Sequence, residues 1–98
     1  MKNFINTMKA LSDPSRVKII KMLERKKYLC VCEIQAALGL AQPTISKHLR
    51  QLEDAGLVEN FKDKQWVNYR LTKNSSNPYV KTMLKNVRGW LNESQEIY

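Results

Sequence analysis

"CEIQAALGLAQPTISKHLRQLEDAGL", Cys32 to Leu57, is the stretch whose periodicity decides the fold. Ile34, Ala37 and Leu38 recur at helical spacing and predict one short amphipathic helix. Gly39 is placed to end it, because glycine enters the left-handed region without a Cβ clash. The turn Gly39 to Ala41 leads into a second helix, Gln42 to Ala55, with Pro43 in its first turn. Ile45, Leu49 and Leu52 form its buried stripe, and Gly56 stops it. Two short helices joined by a tight glycine-containing turn make a helix-turn-helix.

Upstream, Phe4, Ile5, Met8 and Leu11 give Lys2 to Leu11 a helical period. Asp13 is a good N-cap, and Pro14 fits the first position of the next helix, where a missing N–H costs nothing. Val17, Ile19, Ile20 and Leu23 are its apolar side, and Arg25–Lys26–Lys27 suits its C-terminus. Beyond Gly56 the period falls to about 2. "LVENFKDKQWVNYRL", Leu57 to Leu71, predicts two strands with a turn near Lys62–Asp63–Lys64. Val67, Tyr69 and Leu71 are expected on one face, and Trp66, Asn68 and Arg70 on the other. After the loop "NSSNP", a last helix is expected from Pro78 to Asn92. The expected architecture is mainly α with a β-hairpin: one winged helix-turn-helix domain over residues 1–98, homodimeric.

The net charge is +8, from 17 Lys and Arg against 9 Asp and Glu. That balance points to a polyanion, with double-stranded DNA ahead of an anionic membrane surface. No run of 18 apolar residues is present, so no transmembrane helix is expected. "MKNFINTMKA" lacks the apolar stretch of a signal peptide, and a cytoplasmic location is expected. There thiols stay reduced, so Cys30 and Cys32, the only cysteines, are expected as thiols rather than a structural disulfide. Gln42, Thr44, Ser46, Lys47, His48 and Arg50 are the candidate readers of base edges and phosphates. Lys62 and Lys64, with Arg70, are the candidate phosphate contacts of the wing. A two-fold dimer suits such a reader. Its candidate interface is Phe4, Ile5, Met8, Val80, Met83, Leu84, Val87 and Trp90. Intramolecular core is the other reading of those eight residues.

"LCVCEI" before "AALGLAQPTISKHLRQLEDAGLVE" and "WVNYRL" resembles the ArsR/SmtB family of metal-responsive repressors, from "LSDPSR" onward. It is most similar to the arsenical-resistance branch, whose signature is Cys-Val-Cys followed by an acidic residue. The resemblance implies no enzyme but an operator-bound homodimer, released when trivalent arsenic or antimony binds Cys30 and Cys32. Soft ions favour thiolates, and Cys32 falls near a helix N-terminus, whose dipole favours thiolate. The branch often has a third cysteine where this chain has Gln35. Solvent, Glu33 or a small thiol could then be the third ligand of inorganic arsenite, whereas a monomethylated trivalent arsenical needs only two. Ala41 stands where the family usually has an N-capping Ser, and Lys64 where the wing usually has Gly, which predicts a wider hairpin tip. The His and carboxylate zinc site of the last helix is not matched: residues 78–92 hold no His, Asp or Glu. Nor are the N-terminal cysteines of cadmium and lead sensors, since residues 1–29 hold none.

On a regular helix, residues i and i+2 point about 200° apart. One ion is therefore expected to bridge Cys30 and Cys32 only if the helix start unwinds, pulling Gln42 to Arg50 off the groove. Oxidation of the pair to a disulfide, a small thiol oxidoreductase and a DNA binder without inducer are the alternatives.

Overall fold

The computed structural model describes residues 1–91. Five helices surround a small sheet: α1 (Lys2–Ala10), α2 (Pro14–Arg25), β1 (Leu29–Cys30), α3 (Val31–Leu38), α4 (Gln42–Asp54), β2 (Val58–Asp63), β3 (Trp66–Leu71) and α5 (Val80–Trp90). Asp13 caps α2, its carboxylate accepting the Arg16 N–H at 3.1 Å, and Pro14 follows at the first turn. Gly39 closes α3 at φ 65°, and Gly56 follows α4 at φ 81°. A Cβ on Gly56 would also lie 2.7 Å from Ser75 Oγ, so this corner excludes larger residues twice over. The last helix begins two residues later than expected, and Asn92 lies outside the described residues.

The core is built from α2 (Ile19, Ile20, Leu23), α3 (Ile34), α4 (Ile45, Leu49, Leu52), Leu57 and Val58. Val80 and Val87 of α5 complete it at 1% and 5% exposure. Those two are therefore corrected from dimer surface to intramolecular core. Leu84 packs against the same cluster, and only Phe4, Ile5, Met8, Met83 and Trp90 of the eight remain on the outer surface to varying degrees.

Polar ties fix the outer helices. Asn77 Nδ2 donates to Thr7 Oγ1 at 2.8 Å and to the Ala55 carbonyl at 3.0 Å, joining α1 to the end of α4. Its Oδ1 accepts the Tyr79 N–H just before α5. Lys21, fully buried in the apolar side of α2, pairs with Glu24 at 2.7 Å and donates to the Val87 and Arg88 carbonyls of α5. A buried ammonium is tolerable only with such compensation.

The sheet order is β1-β3-β2, all antiparallel. The third strand, β1, was not expected. It pairs Leu29 with Tyr69 and Cys30 with Asn68. Asn68, opposite Cys30, is the buried residue of β3, while Val67 is exposed and Tyr69 and Leu71 are half-buried against the core. Asp63 pairs with Trp66, so the hairpin closes through Lys64 and Gln65 alone. The tip is not widened: Lys64 takes the left-handed conformation at φ 58° that glycine would occupy freely.

Candidate DNA interface and thiol site

Burying Ile45, Leu49 and Leu52 turns the opposite side of α4 to solvent. Gln42, Thr44, Ser46, Lys47 and Arg50 are all exposed there. Ala41 caps the helix with no side-chain hydrogen bond, as its methyl dictates. Lys62 and Lys64 are exposed at the far end of the hairpin. Arg70 is not available in the same way. Its Nε donates to Glu59 Oε2 at 2.7 Å, and its guanidinium lies 4.7 Å from the Phe61 ring centre.

His48 departs from the expected face. Its side chain is 15% exposed and turns toward the start of α2, with Nδ1 3.9 Å from Asp13 Oδ2 and 3.3 Å from Arg16 Nη1. It sits behind the candidate reading face, in the support of α4. Arg16 is the centre of that support. Its guanidinium donates to the Lys9 and Ala10 carbonyls at 3.0 and 2.8 Å and to Gln51 Oε1. It thereby satisfies the C-terminal carbonyls of α1 and clamps α4 to α1 and α2. The sequence reading missed this role; the only signal was a cation three residues after the Asp13 cap.

Tyr69 lies between the sheet and α4. Partial burial pushes its phenol above the usual value of 10.0, Glu53 adds to the rise and Arg50 opposes it.

The two cysteines straddle an element boundary. Cys30 ends β1 in an extended conformation, φ −80° and ψ 163°, and caps α3; Cys32 lies in the first turn. The extended residue swings its side chain onto the side of the helical one, with Cα atoms 5.4 Å apart. The sulfurs are joined in the structure, which corrects the expectation of two separate thiols. The geometric premise for unwinding falls with it: α3 need not distort to bring the sulfurs together, because only one of them is helical. Glu33 Oε1 accepts the Cys30 N–H at 3.0 Å, so this carboxylate is committed to the helix start rather than to a third ligand position. Among the described residues, no cluster of three or more His, Cys, Asp or Glu side chains could hold a metal ion. Among the residues lining this site, the soft donors are the two cysteine sulfurs.

A cavity of about 190 Å³ opens on this pair. Cys30, Cys32 and Gln35 line it together with Gln42 of α4 and Trp66 and Val67 of β3. The thiol site, the first residue of the candidate recognition helix and the β3 residues next to the hairpin turn thus share one cavity.

A helix-turn-helix beside a hairpin, with the second helix polar and exposed, defines a winged-helix protein of the DNA-binding class. The chain belongs to the family described as "Bacterial regulatory protein, arsR family", which residues 13–60 match. The Arsenic resistance transcriptional regulator ArsR1 of Pseudomonas putida is 43% identical over 79 residues, 81% of this chain and 61% of that protein. The Arsenical resistance operon repressor of Escherichia coli is 41% identical over 68 residues, 69% of this chain and 58% of that one. This chain thus spans about six tenths of the length of these relatives. Among solved structures, HlyU from Vibrio cholerae superposes with a TM-score of 0.74 at 31% identity, over 90% of each chain. The family and these relatives are transcriptional regulators, not enzymes. Among the described residues, no helix is long and apolar enough to cross a membrane.

Proposed function

We propose that this protein is a homodimeric, operator-binding repressor released when its reduced cysteine pair captures trivalent arsenic or antimony. The observation that carries the reading is the shared cavity: Cys30 and Cys32 face Gln42 and Trp66 across it. In the DNA-bound state Gln42, Thr44, Ser46, Lys47 and Arg50 lie in the major groove, with Lys62 and Lys64 on flanking phosphates. Lys47, Arg50 and the wing lysines supply the salt-dependent part of the affinity. The exposed Phe4 and Ile5 of α1, with Tyr79 edge-on against Phe4, and the exposed Trp90 of α5 support the dimer reading.

Capture is a condensation. Two thiols and one methylarsonous acid, CH3As(OH)2, form two As–S bonds and release two waters. The methyl group then meets Trp66 and Val67, and no third thiolate is required. Inorganic arsenite keeps one hydroxyl, facing Gln35. Either adduct occupies the cavity against Gln42 and Trp66, and it releases DNA to the extent that it binds the displaced arrangement more tightly.

The joined sulfurs favour a second reading, in which a hydroperoxide is the signal. The dithiol then loses two electrons and two protons to ROOH, giving the disulfide, ROH and water.

Fluorescence anisotropy on the operator distinguishes the two. With reduced protein, methylarsenite is expected to release DNA near one equivalent per chain, and Cys30→Ser or Cys32→Ser to abolish release. Release by peroxide but by no arsenical or antimonite would overturn the metalloid reading in favour of the redox one.

A further inference from the structure

A second cavity, of about 890 Å³, lies on the side of the molecule formed by the end of α2, the hairpin with the segment after it, and α5. Its floor is apolar: Leu23, Leu71, Val80 and Leu84. Tyr28 and Phe61, edge to face at 5.4 Å, form an aromatic wall. Its rim is cationic: Lys27, Lys73, Lys81, Lys85 and Arg88. Arg70 also lines it but is matched by Glu59. Among the described residues lining the cavity there is no carboxylate. The Thr72 hydroxyl, on the same wall, has no hydrogen-bond partner among the described residues.

This volume is that of a small-molecule site, and its chemistry is of one kind. At about 100° per residue, Lys81, Lys85 and Arg88 share one flank of α5, whereas Met83 and Trp90 lie on the other. The cavity is therefore separate from the candidate dimer face, and no residue lining it belongs to the candidate reading helix or the thiol site.

We propose that this cavity is a binding site for an amphiphilic organic anion, with an aliphatic body on the Leu23–Leu84 floor and a carboxylate head on the Lys81–Lys85 rim. The apolar area removed from water supplies most of the affinity, and the unmatched cations select the sign of the head group. Phe61 and Leu71 belong to the hairpin, so an occupant would press on the wing from the side opposite its Trp66 end.

Isothermal titration calorimetry with decanoate below its micelle range tests the site on the full chain. One saturable decanoate per chain is expected, with decyltrimethylammonium at least about tenfold weaker. Lys81→Glu plus Lys85→Glu, both exposed, should weaken decanoate by at least about tenfold and narrow its advantage over the cation. Lys2→Glu plus Lys9→Glu makes the same change in net charge on α1 and should leave binding unaltered. Absence of saturable binding overturns the proposal. So does equal binding of anion and cation, or equal weakening by the two double variants, which would reduce the effect to net charge. The metalloid reading is untouched by any of these outcomes, because the thiol site is not probed.

Discussion

Replacing Arg16 by alanine is the substitution with the largest expected effect on a partly exposed residue. The guanidinium makes two hydrogen bonds to carbonyls at the end of α1, at 3.0 and 2.8 Å, and one to Gln51 on α4. A hydrogen bond to a charged group contributes about 1.5–3 kcal/mol net when water is excluded. Water can reach part of this cluster, which lowers the sum, and the freed carbonyls can be rehydrated. The expected loss is about 2–3 kcal/mol, a fall in Tm of about 10–20 °C for a domain of this size. Urea denaturation followed by circular dichroism checks it, with the slope m unchanged. Arg16→Lys keeps the charge but loses the planar fork, and should recover less than half of the loss. A loss below about 0.5 kcal/mol would refute the reasoning, since the guanidinium would then be doing no more than water does.

Ala41→Ser supplies the missing N-cap of α4 and should add about 1 kcal/mol of stability, read from the urea midpoint. Lys64→Gly relieves a left-handed lysine and should stabilise the hairpin by about 1 kcal/mol in the same assay; no gain would mean that the turn changes shape. Tyr69 has a folded-state pKa above its unfolded value of 10.0, so the folded chain holds this proton more tightly. Its contribution is complete below pH 10 and lost as pH rises through the folded pKa. Tyr69→Phe should therefore show a shallower fall of stability above pH 10 than the wild type in pH-resolved urea titrations.

Much of the fold was legible because its signals are local. Asp13–Pro14 starts α2, Gly39 and Gly56 bracket the helix-turn-helix, and the period switches at Leu57, all within a few residues of the feature each specifies. What the sequence did not reveal depends on distant partners. Strand β1 is two residues long and exists because Tyr69 and Asn68, some 40 positions on, accept its pairing. That strand also extends Cys30, so the meeting of the sulfurs was hidden with it. Val80 and Val87 share a helix with Met83 and Trp90, and periodicity alone does not say which side meets α2. His48 was read by type, as a base reader, and nothing local in the sequence marks Lys21 as buried. Their actual partners, Arg16 and Asp13 for one, Glu24 and the α5 carbonyls for the other, lie on other turns and elements.

One cavity joins the cysteine pair, the candidate recognition helix and the wing. Trp66 on its wall is a built-in reporter. Its emission should be followed during titration of methylarsenite into the reduced, operator-bound protein, with Trp66→Phe as the blank. Trp66 emission and operator release should change together, both complete near one equivalent per chain and both lost in Cys32→Ser. Release with no change at Trp66, or release that survives the loss of Cys32, would contradict this coupling.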